Sequence, residues 1–190
     1  MAHVTLVSQP KGLLQRYAWR YTRKMFGHVV EPVQAAAHHD GVLMSSGALE
    51  TVVDKRWRVL EPGLAWLAQH ATSLAIGCSW CVDYGYFEGV RTGIPIEKVR
   101  DVPRWRDSDR FDDRERLVLE YAEAINTTPS AMTDDLAARL RRTFSEKEFV
   151  ELAGWVALEN MRSRFNAGLG LRSEGFSDKC EVPAFVGATG

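Results

Sequence analysis

Two cysteines, Cys78 and Cys81, stand three residues apart in the run Gly-Cys-Ser-Trp-Cys-Val-Asp-Tyr-Gly-Tyr-Phe-Glu at 77–88. Thiols at this spacing on the first turn of a helix can reach one another and close a small disulfide ring. A helix N-terminus also favours a thiolate, because its unpaired N–H groups and macrodipole stabilise negative charge, and the thiolate is the nucleophile. The pair reads first as a redox centre, with half a zinc site or coincidence as the alternatives. Zinc needs two more ligands, and the chain offers no second C-x-x-C and no well-spaced H-x-x-x-H. His38 and His39 are adjacent, so on a helix they point about 100 degrees apart and cannot serve one metal. No metal or bound cofactor is expected. Glycine-rich phosphate loops, a Ser-His-Asp order and H-E-x-x-H are absent from the sequence.

The elements that must position the pair are helical. Glu61-Pro62 opens a helix through Ile76, with Leu64, Leu67, Ala68, Ala71, Leu74 and Ala75 at a 3.6-residue period. Gly77 permits a bend, and from Cys78 a second helix runs to about Arg91, closed by Gly93. Upstream, 11–26 reads as an amphipathic helix with Leu13, Leu14, Tyr17, Tyr21 and Met25 on one face. It is rich in Lys and Arg: packing on its own domain or on another subunit competes with a targeting or membrane-surface role. Glu31-Pro32 opens another helix with Val33, Ala36, Ala37, Leu43 and Met44, and Gly47–Asp54 a short one with Leu49, Val52 and Val53 turned inward. After a turn at 95–99, residues 101–116 mix charges densely and read as a solvated connector. Asp112 or Asp113 caps the next helix, Thr133 the one after it, and Ser145 to Glu148 forms a capping box for the longest late helix, ended by Gly168 and Gly170. No stretch alternates apolar and polar between turn signals. The expectation is therefore all-α with seven or eight helices: 11–55 N-terminal helices, 60–175 the C-x-x-C core and its followers, 176–190 a tail containing Cys180.

Composition bounds the rest. The 190 residues suit a single domain or two small packed units, with ordinary hydrophobic (45%) and charged (26%) content. A net charge of −1 argues for neither nucleic acid nor a bilayer. No run is long enough for a membrane span, and Met-Ala-His-Val-Thr-Leu-Val lacks the apolar middle of a secretory signal. Cytoplasm is the expected compartment, and it suits a C-x-x-C kept reduced between turnovers.

The unit from Leu60-Glu61-Pro62 to Ile76-Gly77-Cys78-Ser79-Trp80-Cys81-Val82-Asp83 resembles the core of the carboxymuconolactone decarboxylase and alkylhydroperoxidase D superfamily. Residues 114–128 resemble its following helix, and so does Phe144–Leu152 with Asn160 and Arg164-Phe165-Asn166 after it; the likeness covers about 30–175. The resemblance implies an all-α fold that assembles into homo-oligomers. For members with the cysteine pair it implies thiol peroxidases that cycle through a Cys–Cys disulfide and are reset by a dithiol protein. The best-known peroxidases also carry a glutamate about twelve residues before the first cysteine and a histidine four after the second. Trp66 and Gly85 occupy those positions here.

The expected function is thus reduction of an organic hydroperoxide by Cys81 and Cys78. Helix electrostatics favour Cys78 as the more acidic thiol, whereas the resemblance gives the attack to Cys81. His70, Asp83 and Tyr84 are the candidate relay or orienting groups, and Trp66, Trp80, Tyr84 and Phe87 the candidate pocket wall. Three other readings compete: a redox sensor or binding protein, a zinc site, and a lyase acting on a small carboxylated ring through Arg162, Arg164 and His70. Cys180 is a possible resolving thiol.

Overall fold

A computed structural model describes residues 2–177. Its contacts divide these into two compact units. One runs to Trp57 and takes in Gly168–Arg172; the other spans Arg58–Ala167 and resumes at Ser173. Nine α-helices and one 3-10 turn make up the described residues, with no strand among them. The all-α expectation holds, with one or two helices more than expected.

The first unit holds α1 (Leu13–Phe26), α2 (Glu31–Ala36) and α3 (Asp40–Arg56), with α1 and α2 packed on α3. Here the structure refines one expectation and corrects two. The stripe of Leu13, Tyr17, Tyr21 and Met25 does share a face of α1, but that face looks out: Leu13 is 84% exposed and Tyr17 69%. The buried face is Gln15, Trp19 and Thr22. Gln15 is satisfied there, donating to the Ala37 carbonyl and Asp40 Oδ1 at 3.0 Å each and accepting from the Lys11 N–H. Second, the helix opened at Glu31 stops at Ala36. His39 turns the chain and caps α3 by accepting the Val42 N–H. Third, Gly47 interrupts nothing: α3 runs straight through it, burying Val53 but leaving Met44 and Val52 exposed.

The second unit carries the cysteines. α4 (Pro62–Ile76) packs on α5 (Ser79–Arg91) and on α7 (Asp113–Asn126). α6 (Ile96–Asp101), a 3-10 turn (Val102–Asp107), α8 (Asp134–Thr143) and α9 (Glu146–Gly168) complete it. The helix starts follow local chemistry. Asp112 and Glu115 form a reciprocal capping box at α7, Thr133 caps α8, and Ser145 with Glu148 caps α9. One continuous core runs from Leu60 through Leu67, Val82, Val118 and Leu140 to Val156. The segment 101–116 is more than a solvated connector: Val102, Trp105 and Phe111 are buried in that core, while Asp101 is tied to Arg104, Ser108 and Arg110. Charge density marks the outward side of this segment; three apolar side chains among twelve charged or polar ones anchor its inward side.

Candidate active site

Gly77 ends α4 in the left-handed conformation (φ 75°) and turns the chain so that Cys78 becomes the N-cap of α5. Its sulfur does the work of a capping oxygen, accepting the Cys81 N–H at 3.3 Å. The Cys78 and Cys81 sulfurs are at bonding distance, with Cα atoms 5.3 Å apart, inside the span a disulfide requires. Both are covered: Cys78 is 1% exposed and Cys81 7%.

Cys81 has a second partner. Asn166, 3% exposed on α9, donates its amide Nδ2–H to the Cys81 sulfur at 3.3 Å. Hydrogen bonds to a sulfur favour its anionic form, so each sulfur has one N–H donor directed at it. Asn166 closes the Arg164-Phe165-Asn166 run, but nothing in the order of residues says that an asparagine 85 positions downstream meets Cys81.

On α4, Trp66 and His70 lie one turn apart and stack, with ring centroids 5.0 Å apart, and Tyr86 stands edge-on to His70 at 4.8 Å. His70 is 2% exposed, and neither ring nitrogen has a hydrogen-bond partner. Burial pushes its pKa down to about 3, so the imidazole is neutral at physiological pH. Two glycines on α5 make room for these rings. A side-chain carbon at Gly85 would overlap the His70 ring, and one at Gly89 would lie 2.5 Å from Trp66. The Trp66 Nε1–H donates to the Gly85 carbonyl at 2.9 Å. The two positions where the resemblance expects glutamate and histidine are therefore bonded to each other, and His70 fills the space beside position 85. A spaced Trp-x-x-x-His on one helix facing a Gly-x-x-x-Gly on the next was the available signal for this arrangement.

The other face of α5 carries Trp80, Tyr84 and Phe87, spaced i, i+4 and i+7. These rings close around Phe176, which is 1% exposed. Phe176 stands edge-on to Trp80 (5.8 Å) and Tyr84 (5.6 Å) and tilted on Phe87 (5.9 Å). Trp66 thus sits with His70, apart from the other three expected pocket residues. Asp83 is 2% exposed and fully engaged: its carboxylate accepts the N–H groups of Glu174 and Phe176 at 3.0 Å and of Ser177 at 2.7 Å. Burial alone would raise its pKa, but hydrogen bonds from Ser177, Phe176 and Ser173 outweigh that and hold it below the usual carboxylate range. Tyr84 donates to Glu88 at 3.1 Å, and burial first, then the Glu88 charge, raises its pKa.

Arg162 donates to Gln69 at 2.8 Å and reaches Glu159, while Arg164 donates to Asn160. Among the described residues no group of three His, Cys, Asp or Glu could hold a metal ion, and no helix is long and apolar enough to cross a membrane. Cys180 lies outside the described residues.

No family model matches the chain. Among solved structures, the debrominase Bmp8 superposes with a TM-score of 0.81 at 22% identity, covering 93% of this chain and 94% of that one. A cysteine-to-alanine variant of Bmp8 is known in complex with 2,3,4-tribromopyrrole. An alkylhydroperoxidase AhpD core protein from Ralstonia eutropha JMP134, described as an uncharacterized peroxidase-related protein, superposes at 0.74 with 18% identity over 95% and 99% of the two chains. The chain has the AhpD-like fold. A sequence relative spans it nearly end to end: the uncharacterized protein YnjA of Escherichia coli K12 is 29% identical over 171 residues, 90% of this chain and 92% of that protein. Within the AhpD-like fold the helix pair around Cys78 and Cys81 is the unit that the resemblance singled out.

Proposed function

We propose that this AhpD-like protein is a dithiol oxidoreductase that reduces organic hydroperoxides through Cys78 and Cys81. The observation that carries the reading is the cysteine pair itself. The two sulfurs are within bonding reach at a helix N-terminus, and each receives one N–H donor, from the Cys81 backbone and from Asn166. Cys81 is the attacking residue, since it is the more exposed of the two and its donor is a side-chain amide. Its thiolate attacks one peroxide oxygen, the O–O bond breaks, and the alkoxide leaves and takes up a proton as the alcohol. Cys81 becomes a sulfenic acid. The Cys78 thiol then displaces water from it and the disulfide forms. An external dithiol protein reduces the disulfide by exchange and becomes oxidised in turn. The neutral His70 imidazole cannot act as a charged acid here. It contributes an uncharged, apolar-walled neighbour to the α5 turn that follows Cys81.

A second reading is reductive dehalogenation of a halogenated ring. It is favoured by the likeness to Bmp8 over nearly all of both chains, and by Trp66 and Gly85 standing in place of a charged relay. There the thiolate takes the halogen from carbon, the ring carbanion is protonated, and Cys78 displaces halide, so one dithiol is oxidised for each carbon–halogen bond reduced.

Rapid-mixing consumption of cumene hydroperoxide by the reduced protein tests the first reading. Cys81→Ser should abolish it. Cys78→Ser should retain a single turnover and accumulate the sulfenic acid, trapped by dimedone. Consumption no faster than free dithiothreitol, together with halide release from a brominated pyrrole, moves the assignment to the second reading.

A further inference from the structure

We infer that Trp80, Tyr84 and Phe87 form an aryl-binding subsite beside the cysteine pair, and that Phe176 is its resident occupant, displaced when an aromatic substrate enters. The inference rests on the thiol chemistry proposed above and adds a substrate class to it: compounds whose reducible bond is carried next to a single aromatic ring.

Four observations converge. The sulfurs are covered, at 1% and 7% exposure, so a substrate reaches them only if something moves. The surrounding helices are held by continuous backbone hydrogen bonds, whereas Ser173–Phe176 lies outside them. Residues between and just after the cysteines fasten this strap. Trp80, between the two, donates its Nε1–H to Glu174 at 2.7 Å, and Asp83, two residues after Cys81, takes the strap N–H groups of Glu174 and Phe176 and that of Ser177, which follows the strap. Finally, Phe176 is fully buried yet stands apart from the continuous core of the unit; it meets the three half-buried rings of α5 in the edge-on and tilted geometry that aromatic pairs prefer. Phe176 therefore has the geometry of a bound aryl group, on a segment that can leave.

Alkylation of the reduced pair tests this without requiring any O–O cleavage. The thiolate adds across the maleimide double bond and the adjacent carbon takes the proton. Second-order rates with N-phenylmaleimide and N-methylmaleimide are compared in a Cys180→Ser background, with adducts on Cys78 and Cys81 counted by mass spectrometry. Phe176→Ala should accelerate the phenyl reagent roughly tenfold, the equivalent of one aromatic contact, and leave the methyl reagent within about twofold. Equal acceleration of both reagents would make the strap a mere cover and overturn the aryl subsite. No acceleration of either would overturn strap and subsite together. Phe176→Leu, which keeps apolar bulk without the ring, should fold like the parent by circular dichroism and still favour the phenyl reagent, so the outcome does not depend on the alanine variant folding. A protein that never reduces a hydroperoxide still yields a result in this assay, so failure of the proposed function and failure of the subsite are separable.

Discussion

His70 is the residue where burial and chemistry conflict most. An imidazole with no partner for either nitrogen loses its hydration on folding, and the charged form loses most, so its pKa falls to about 3 from an ordinary 6.5. Between those values the unfolded chain binds a proton that the folded one refuses. Stability therefore rises with pH across this window and is lost as pH falls from about 6.5 toward 3, by on the order of 5 kcal/mol when the whole window is crossed. His70→Phe keeps the stacking on Trp66 and removes the titration. Urea midpoints of the variant between pH 4 and 7 should therefore be flatter than those of the parent. Parallel profiles would show that His70 is not held neutral by the fold. The same residue shows where sequence reading stops. Position 70 falls between Leu67 and Leu74 at the period of α4, but the glycine at 85 that admits its ring reads in sequence only as a missing relay histidine. Adjacency across two helices is a tertiary fact, and no local pattern states it.

At the scale of elements, boundaries were legible where a side chain caps or a glycine terminates. Asp112, Thr133, Ser145, Pro62 and Gly77 each did what local chemistry requires. Facing was less legible. In α1 the most apolar stripe looks to solvent and the buried one consists of Gln15, Trp19 and Thr22. Periodicity reports that residues share a face; it does not report which face the neighbours cover. Here Gln15 is drawn in by two acceptors on the 37–40 turn, and Trp19 supplies the apolar area. Trp19→Ala should accordingly cost about 3–5 kcal/mol in denaturant unfolding, as for a large core aromatic. Tyr17→Ser, on the apolar-looking stripe, should change stability by less than about 0.5 kcal/mol. The opposite ranking would mean that the outward stripe is the one that holds α1.

For the molecule as a whole, the question is whether the cysteine pair staples the fold or merely resides in it. The continuous core from Leu60 to Val156 contains neither cysteine and is built by α4, α5, α7, α8 and α9 packing through aliphatic and aromatic side chains. The bridge joins residues only three apart. In the chain-entropy account, closing a loop of about four residues removes on the order of 2 kcal/mol of denatured-state freedom, against about 4.7 for a hundred-residue loop. A pair so placed can open and close while the helices around it stay folded, which a dithiol cycle demands and a structural staple does not. Urea unfolding with and without reductant should thus differ by no more than about 2 kcal/mol, and far-ultraviolet circular dichroism of the reduced protein should match the oxidised form. Loss of the helical signal on reduction would make the bridge a condition of folding, and the redox cycle proposed for Cys78 and Cys81 would then have to unfold the protein at every turnover.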